Sequence, residues 1–296
     1  MTKKAPAVGK DVSFPFQTAI TCWIDLLGYG RMMSDAGFNP LSPEAEMAIR
    51  RLRRFHRLVS EHSRRVFPTL VMNDGAVGYR DLSYRARWPT YEFLQDAWKL
   101  FQAVNAAEAA GGSPGARMVI ATGFRMRGRR NGLDAVSTSF RSIIEKVRDG
   151  RLTLEQAIGS ASRIRSTFDI VPQLQANFAF TKAYCAEQAG SRAGLAGPQC
   201  FVDLSVFERP LPDWLDIGDP VEWRDANLDL EATFAPLVSL PPAKEVERTP
   251  SGTVEGGPAG VRDGLQVAGV LARDDDVLTA LRNAMSAEAN ARRSGK

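Results

Sequence analysis

The sequence predicts an α+β domain whose elements run strand, helix, hairpin, helix, strand, a βαββαβ order. Three stretches carry that expectation. Ala19-Ile20-Thr21-Cys22-Trp23-Ile24 is an apolar run of strand length, ending on one carboxylate, Asp25. Val71–Tyr79 sets two short apolar runs around Asn73-Asp74-Gly75, the pattern of a tight β-hairpin whose turn needs positive φ. Thr90 to about Ala110 places Tyr91, Phe93, Leu94, Trp98, Phe101 and Val104 at helical spacing, and Gly111-Gly112-Ser113-Pro114-Gly115 ends it before the apolar strand Arg117–Ala121.

The other elements follow in order. Residues 1–16 form a polar, proline-containing lead-in. After the first strand a helix is expected over Tyr29–Phe38, with Asn39-Pro40-Leu41-Ser42-Pro43 interrupting it. From Glu44 to about Arg65 the pattern is helical again, with Met47, Leu52, Phe55 and Val59 as the apolar stripe. Arg50, Arg53, Arg54, Arg57 and Arg64 occupy its other faces. They form either a solvated basic surface or a rim that attracts phosphate.

Residues 124–166 read as an insertion: the basic loop Phe124–Arg130, then helical stretches near 138–149 and 153–165 split by Asp149-Gly150. A strand is expected over Thr167–Leu174, a helix over Gln175–Ala189 and a strand over Cys200–Leu204. Residues 211–240 supply the last strands, closing a domain over 17–240. A Pro- and Gly-rich linker, 241–264, tethers a tail, 265–296, whose Val277–Ala289 segment reads as a short helix capped by Asp274-Asp275-Asp276.

Composition narrows the class. With 44% hydrophobic and 24% charged residues in 296, the chain has the balance of a globular protein with one large domain and an appendage. No run approaches the ~20 apolar residues that span a bilayer, and Met1–Pro6 lacks a signal-peptide core. The cysteines, Cys22, Cys185 and Cys200, lie in apolar segments without metal-ligand spacing, so a reduced, cytoplasmic setting is expected. Two histidines, His56 and His62, are too few for a His-rich zinc site. A net charge of +4 announces no nucleic-acid partner, and no aromatic stacking platform accompanies the arginine-rich helix.

The chemistry sits on the two carboxylates. Asp25 follows a buried strand and precedes Leu26-Leu27-Gly28-Tyr29-Gly30, a setting in which a lone carboxylate is costly without a partner. Asp74 sits at a hairpin tip. Two such oxygen ligands suit Mg²⁺ or Mn²⁺.

Strand-Ile24-Asp25-Leu26-Leu27-Gly28-Tyr29, a helix, then strand-Asn73-Asp74-Gly75-strand resembles the catalytic domain of class III nucleotide cyclases over about residues 17–210. The resemblance implies a ferredoxin-like βαββαβ core and a homodimer with two pockets at its interface. It also implies two Mn²⁺ or Mg²⁺ ions held by Asp25, Asp74 and the Leu26 carbonyl, and a nucleoside triphosphate against Leu27, Gly28 and Tyr29. In that family a base-reading residue precedes a helix bearing an Asn and, one turn on, an Arg. Asp169 and Asn177 are the counterparts here, but Thr181 stands where the Arg is expected, so either Lys182, the nearest cation, or an arginine from elsewhere takes over phosphate stabilisation beside Asn177.

That departure, with the bulky Trp23, Tyr29 and Tyr79, is similar to the pyrimidine (uridylate) cyclases of bacterial anti-phage Pycsar systems. It implies UTP before CTP as substrate, and a cyclic product read by a separate cyclic-nucleotide-binding effector. The competing expectations are a purine cyclase in general signalling and a non-catalytic interaction module. A diguanylate-cyclase or polymerase-palm relative would share the core, but Asn73-Asp74-Gly75 does not match its Gly-Gly-Asp-Glu-Phe hairpin.

Overall fold

The computed structural model describes residues 16–82, 88–126, 135–164, 171–207 and 210–247, with single positions at 279, 283 and 290. Among the described residues eight strands form one sheet: β1 (Phe16–Leu26), β2 (Thr69–Met72), β3 (Gly75–Asp81), β4 (Ala116–Met126), β5 (Cys200–Asp203), β6 (Asp216–Ile217), β7 (Val221–Asp225) and β8 (Leu230–Ser239). The order is β2-β3-β1-β4-β5-β8-β6, with β7 paired to β8. The first four strands are antiparallel neighbours, and helices link β1 to β2 and β3 to β4, which is the ferredoxin-like arrangement. The β4–β5 pairing is parallel.

Six helices complete the described chain: α1 (Tyr29–Asp35), α2 (Pro43–His62), α3 (Trp88–Ala110), α4 (Ala135–Arg148), α5 (Leu154–Ala161) and α6 (Phe178–Ala189). Ser42 accepts a hydrogen bond from the Ala45 amide and Pro43 sits at the first helical position, so α2 starts where its cap and its fixed φ require. Thr153 and Gln156 form a reciprocal capping box on α5.

Strand alternation divides the core. Ile20, Cys22, Ile24 and Leu26 point to one face of β1 and bury against Phe55 and Val59 of α2 and Phe93, Leu94 and Leu100 of α3. Trp23 points to the other face, with Val77, Val119 and Ala121, and is covered by Ala183 and Ala186 of α6. Asp25, two residues after Trp23, therefore lies on the α6 face.

Several expected elements shift. The strand β4 runs on to Met126, absorbing Phe124 and Arg125 from the expected basic loop, because Arg125 pairs with Asp81 on β3 and strand pairing with β1 continues as far as Phe16. Gly123 makes room for this: a Cβ there would meet the Ala179 amide nitrogen at 2.5 Å. In the expected strand Thr167–Leu174, residues 172–174 instead form a 3₁₀ turn, and the helix after it starts at Phe178 rather than Gln175. Asp169, Arg127–Arg130 and the expected C-terminal helix Val277–Ala289 lie outside the described residues, apart from the single positions 279 and 283. Among the described residues no helix is long and apolar enough to cross a membrane.

Candidate active site

The hairpin puts the two acidic residues together. Met72 pairs with Gly75, so Asn73 and Asp74 form a two-residue turn, and Asn73 takes the positive φ, 55°. Asp25 of β1 pairs with Gly75 of β3, and the Leu26 amide donates to the Asp74 carbonyl at 3.1 Å. Gly75 is required for this approach: a Cβ would come within 2.2 Å of the Trp23 ring and 3.0 Å of Asp25 Oδ1.

The electrostatics agree with that proximity. Burial, then the carboxylates of Glu187 and Asp74, push Asp25 up to about 8 from an ordinary 3.8, and Arg117 and Arg51 pull the other way. Such a carboxylate favours an added positive charge. The same field reaches Tyr29, whose phenol is raised by burial and by Asp74.

The turn after β1 is fixed by backbone bonds. The Leu27 amide donates to the Gly115 carbonyl at 2.9 Å, and Gly28 adopts φ 73° as the residue capping α1. Leu26 and Tyr29 are buried in the core, so of these residues Leu27 and Gly28 stand nearest solvent. Tyr29 thus offers the site its backbone, with its ring packed inside.

Two buried ion pairs flank the site, and the residue patterns give no sign of either. Arg117, directly opposite Asp25 on β4, donates to Glu187 Oε1 at 2.7 Å and to the Leu195 carbonyl at 2.8 Å. Arg51 pairs with Glu108 beneath the turn. Their partners are 70 and 57 residues away in sequence, beyond the reach of any local motif.

The remaining expected site residues lie elsewhere. Asn177 bridges to Arg125, which is eight positions along β4 from Arg117 and so roughly 26 Å from the Asp25 level at ~3.3 Å per residue. Its side chain caps α6, accepting from the Phe180 amide at 3.0 Å and donating to the Gln173 carbonyl at 2.8 Å. The residue is 3% exposed.

The Lys182 ammonium is buried against Asp203 Oδ2 at 2.8 Å. Trp23 is likewise packed edge-on against Phe180 and Tyr184 instead of bordering a base pocket. On α2, Arg50 and Arg57 form exposed pairs with Glu46 and Glu61 one turn away, which favours the solvated-surface reading there, whereas Arg54 and, beyond the helix, Arg64 reach the buried Glu108 and Asp96.

Among the described residues no cluster of three or more His, Cys, Asp or Glu side chains forms. The donor set is two carboxylates with backbone oxygen nearby. That suits Mg²⁺, which binds through one or two carboxylates and takes its other ligands from water and substrate phosphate.

No protein-family model and no curated protein matches the chain. Among solved structures, the guanylyl cyclase Cya2 aligns at 13% identity with a TM-score of 0.46, over 77% of this chain and 95% of that one. The adenylyl cyclase CyaB from P. aeruginosa aligns at 11% identity, also with a TM-score of 0.46, over 76% and 95%. Likeness at this level assigns no role to any residue here.

Proposed function

We propose that the chain is a nucleotide cyclase, forming a 3′,5′-cyclic nucleotide and pyrophosphate from a nucleoside triphosphate. The observation that carries this reading is the meeting of Asp25, at the end of β1, with Asp74 of the β2–β3 turn, where burial and the neighbouring carboxylates push Asp25 up to about 8. Asp25, Asp74 and the Leu26 carbonyl would hold Mn²⁺ or Mg²⁺, two per site. When bound, such ions lower the pKa of an attacking hydroxyl and neutralise a triphosphate. The ribose 3′-hydroxyl would lose its proton to solvent and its oxygen would bond to the α-phosphorus as the bond to the α–β bridging oxygen breaks and pyrophosphate leaves.

The protein's own part is placement. The Asp25 strand and the Asp74 hairpin fix two carboxylates in one rigid sheet, and the turn Leu27-Gly28-Tyr29 offers backbone to the triphosphate. Asn177 belongs to the ribose side of the site. Because Asn177 lies far along the sheet from Asp25, one chain does not complete a site, and two copies exchanging ends would complete two.

For the base, the reading favours UTP, then CTP, in anti-phage defence, with the product read by a separate cyclic-nucleotide-binding effector. Thr181 supports the departure from purine cyclases: it stands one turn after Asn177, where an arginine is expected, and its hydroxyl bonds back to the Asn177 carbonyl at 3.2 Å. The packing of Trp23 and of the Tyr29 ring inside removes two supports, leaving Tyr79 as the aromatic bordering the hairpin. The test is competition with all four NTPs at equal concentration and Mn²⁺, with products resolved by mass. Cyclic UMP or cyclic CMP as the main product supports the pyrimidine reading; cyclic AMP or cyclic GMP moves the assignment to a purine cyclase.

A further inference from the structure

We infer that helix α2 is the frame that sets the two carboxylates against each other, with Arg51 and His56 as its positioning residues. The inference rests on the metal-dependent cyclase reading and deepens it. Each residue grips a main-chain carbonyl next to one half of the site. Arg51, whose side chain is 3% exposed, donates from Nη2 to the Leu27 carbonyl at 2.9 Å, two residues after Asp25. The same guanidinium is held by Glu108 through Nε at 2.8 Å and reaches Met32 Sδ at 3.4 Å and the Gly115 carbonyl at 3.4 Å. His56 Nε2 lies 2.7 Å from the Asn73 carbonyl, and since a carbonyl only accepts, the imidazole donates. Asn73 in turn donates from Nδ2 to Asp74 Oδ1 at 2.8 Å.

The two grips differ in kind. Arg51 is fixed by a buried carboxylate, so the Leu27 carbonyl is turned inward and the turn after Asp25 is pinned between α2 and Gly115. His56 holds the one residue of the hairpin in the left-handed region, Asn73, whose side chain orients the Asp74 carboxylate. Five residues of helix separate the two, a rise of about 7.5 Å, and that rigid spacing is transmitted to the carboxylates. Neither residue bonds a carboxylate ligand directly. Their effect belongs to the outer shell, where loss of a partner weakens metal affinity about 10–100-fold.

The test is Mn²⁺ titration of the full-length protein, followed by loss of the free-ion electron paramagnetic resonance signal, with melting temperatures alongside. Asp25→Asn and Asp74→Asn test the underlying site: both should lose binding that the wild-type chain shows. His56→Phe keeps a ring without the donor and should weaken Mn²⁺ binding about tenfold at an unchanged melting temperature, with His56→Gln, which keeps a donor, recovering most of it. Arg51→Lys keeps the charge without the fork and should weaken binding at least as much. Wild-type affinity in both His56→Phe and Arg51→Lys, or equal loss in His56→Phe and His56→Gln, overturns the inference while leaving the two-carboxylate site standing. A wild-type chain that binds no Mn²⁺ overturns both.

Discussion

Arg117 lies directly across the sheet from Asp25, and Glu187, reaching down from α6, holds its guanidinium at 2.7 Å. The pair neutralises itself, so Asp25 gains little from the nearby cation and remains raised by burial and by Glu187. Three consequences of this arrangement can be measured without substrate.

The first is pH dependence. In the folded chain Asp25 holds its proton to about pH 8, whereas an unfolded Asp loses it near 3.8. Between those values the native state binds the extra proton, so stability falls as pH rises from about 4 to about 8. Melting curves in chelator from pH 5 to 8.5 should show this decline, and Asp25→Asn should lack it. Added Mn²⁺ should restore the wild-type chain at pH 8 more than it restores the variant.

The second concerns the buried pair. Arg117→Met strands the Glu187 carboxylate beside Asp25 and should destabilise by about 3–5 kcal/mol in chemical denaturation at pH 7. Replacing both partners, Arg117→Met with Glu187→Met, should recover much of that loss. A single variant as stable as the wild type would show that the pair is solvated.

The third is steric. Gly75→Ala would drive a methyl into the Trp23 ring and against Asp25 Oδ1, so the strand or the indole must move. A loss of about 1–3 kcal/mol in urea unfolding is expected, with weakened Mn²⁺ binding because both carboxylates border the displaced residue.

The legible parts of the molecule were those written in local pattern. The apolar run of β1 announces the strand, Asn73-Asp74-Gly75 the hairpin, and the apolar stripe over 90–110 the helix α3, and each forms where expected within a few residues. The antiparallel order of the first four strands follows from those elements once the helices must cover a face. What stayed hidden depends on distant partners. Lys182 reads as an available cation until Asp203 is brought beside it, and Arg125 reads as loop until Asp81 pairs with it. Trp23 has no defined face until the register of β1 is known, and that register turns it toward α6. Arg51 is one arginine among many on a basic helix, and only its burial against Glu108 sets it apart.

The proposed cyclisation depends on Asp25 and Asp74 acting together. The most direct measurement is turnover of each NTP with Mn²⁺ by the wild-type chain and by Asp25→Asn and Asp74→Asn, with products identified by mass and folding checked by melting temperature. The account predicts a cyclic nucleotide and pyrophosphate from the wild type, and turnover reduced at least about 100-fold in both variants, the scale at which loss of one preorganised electrostatic contact to a transition state is felt, at melting temperatures no lower than wild type. A folded wild type that consumes no NTP, or either variant retaining wild-type turnover, would contradict it.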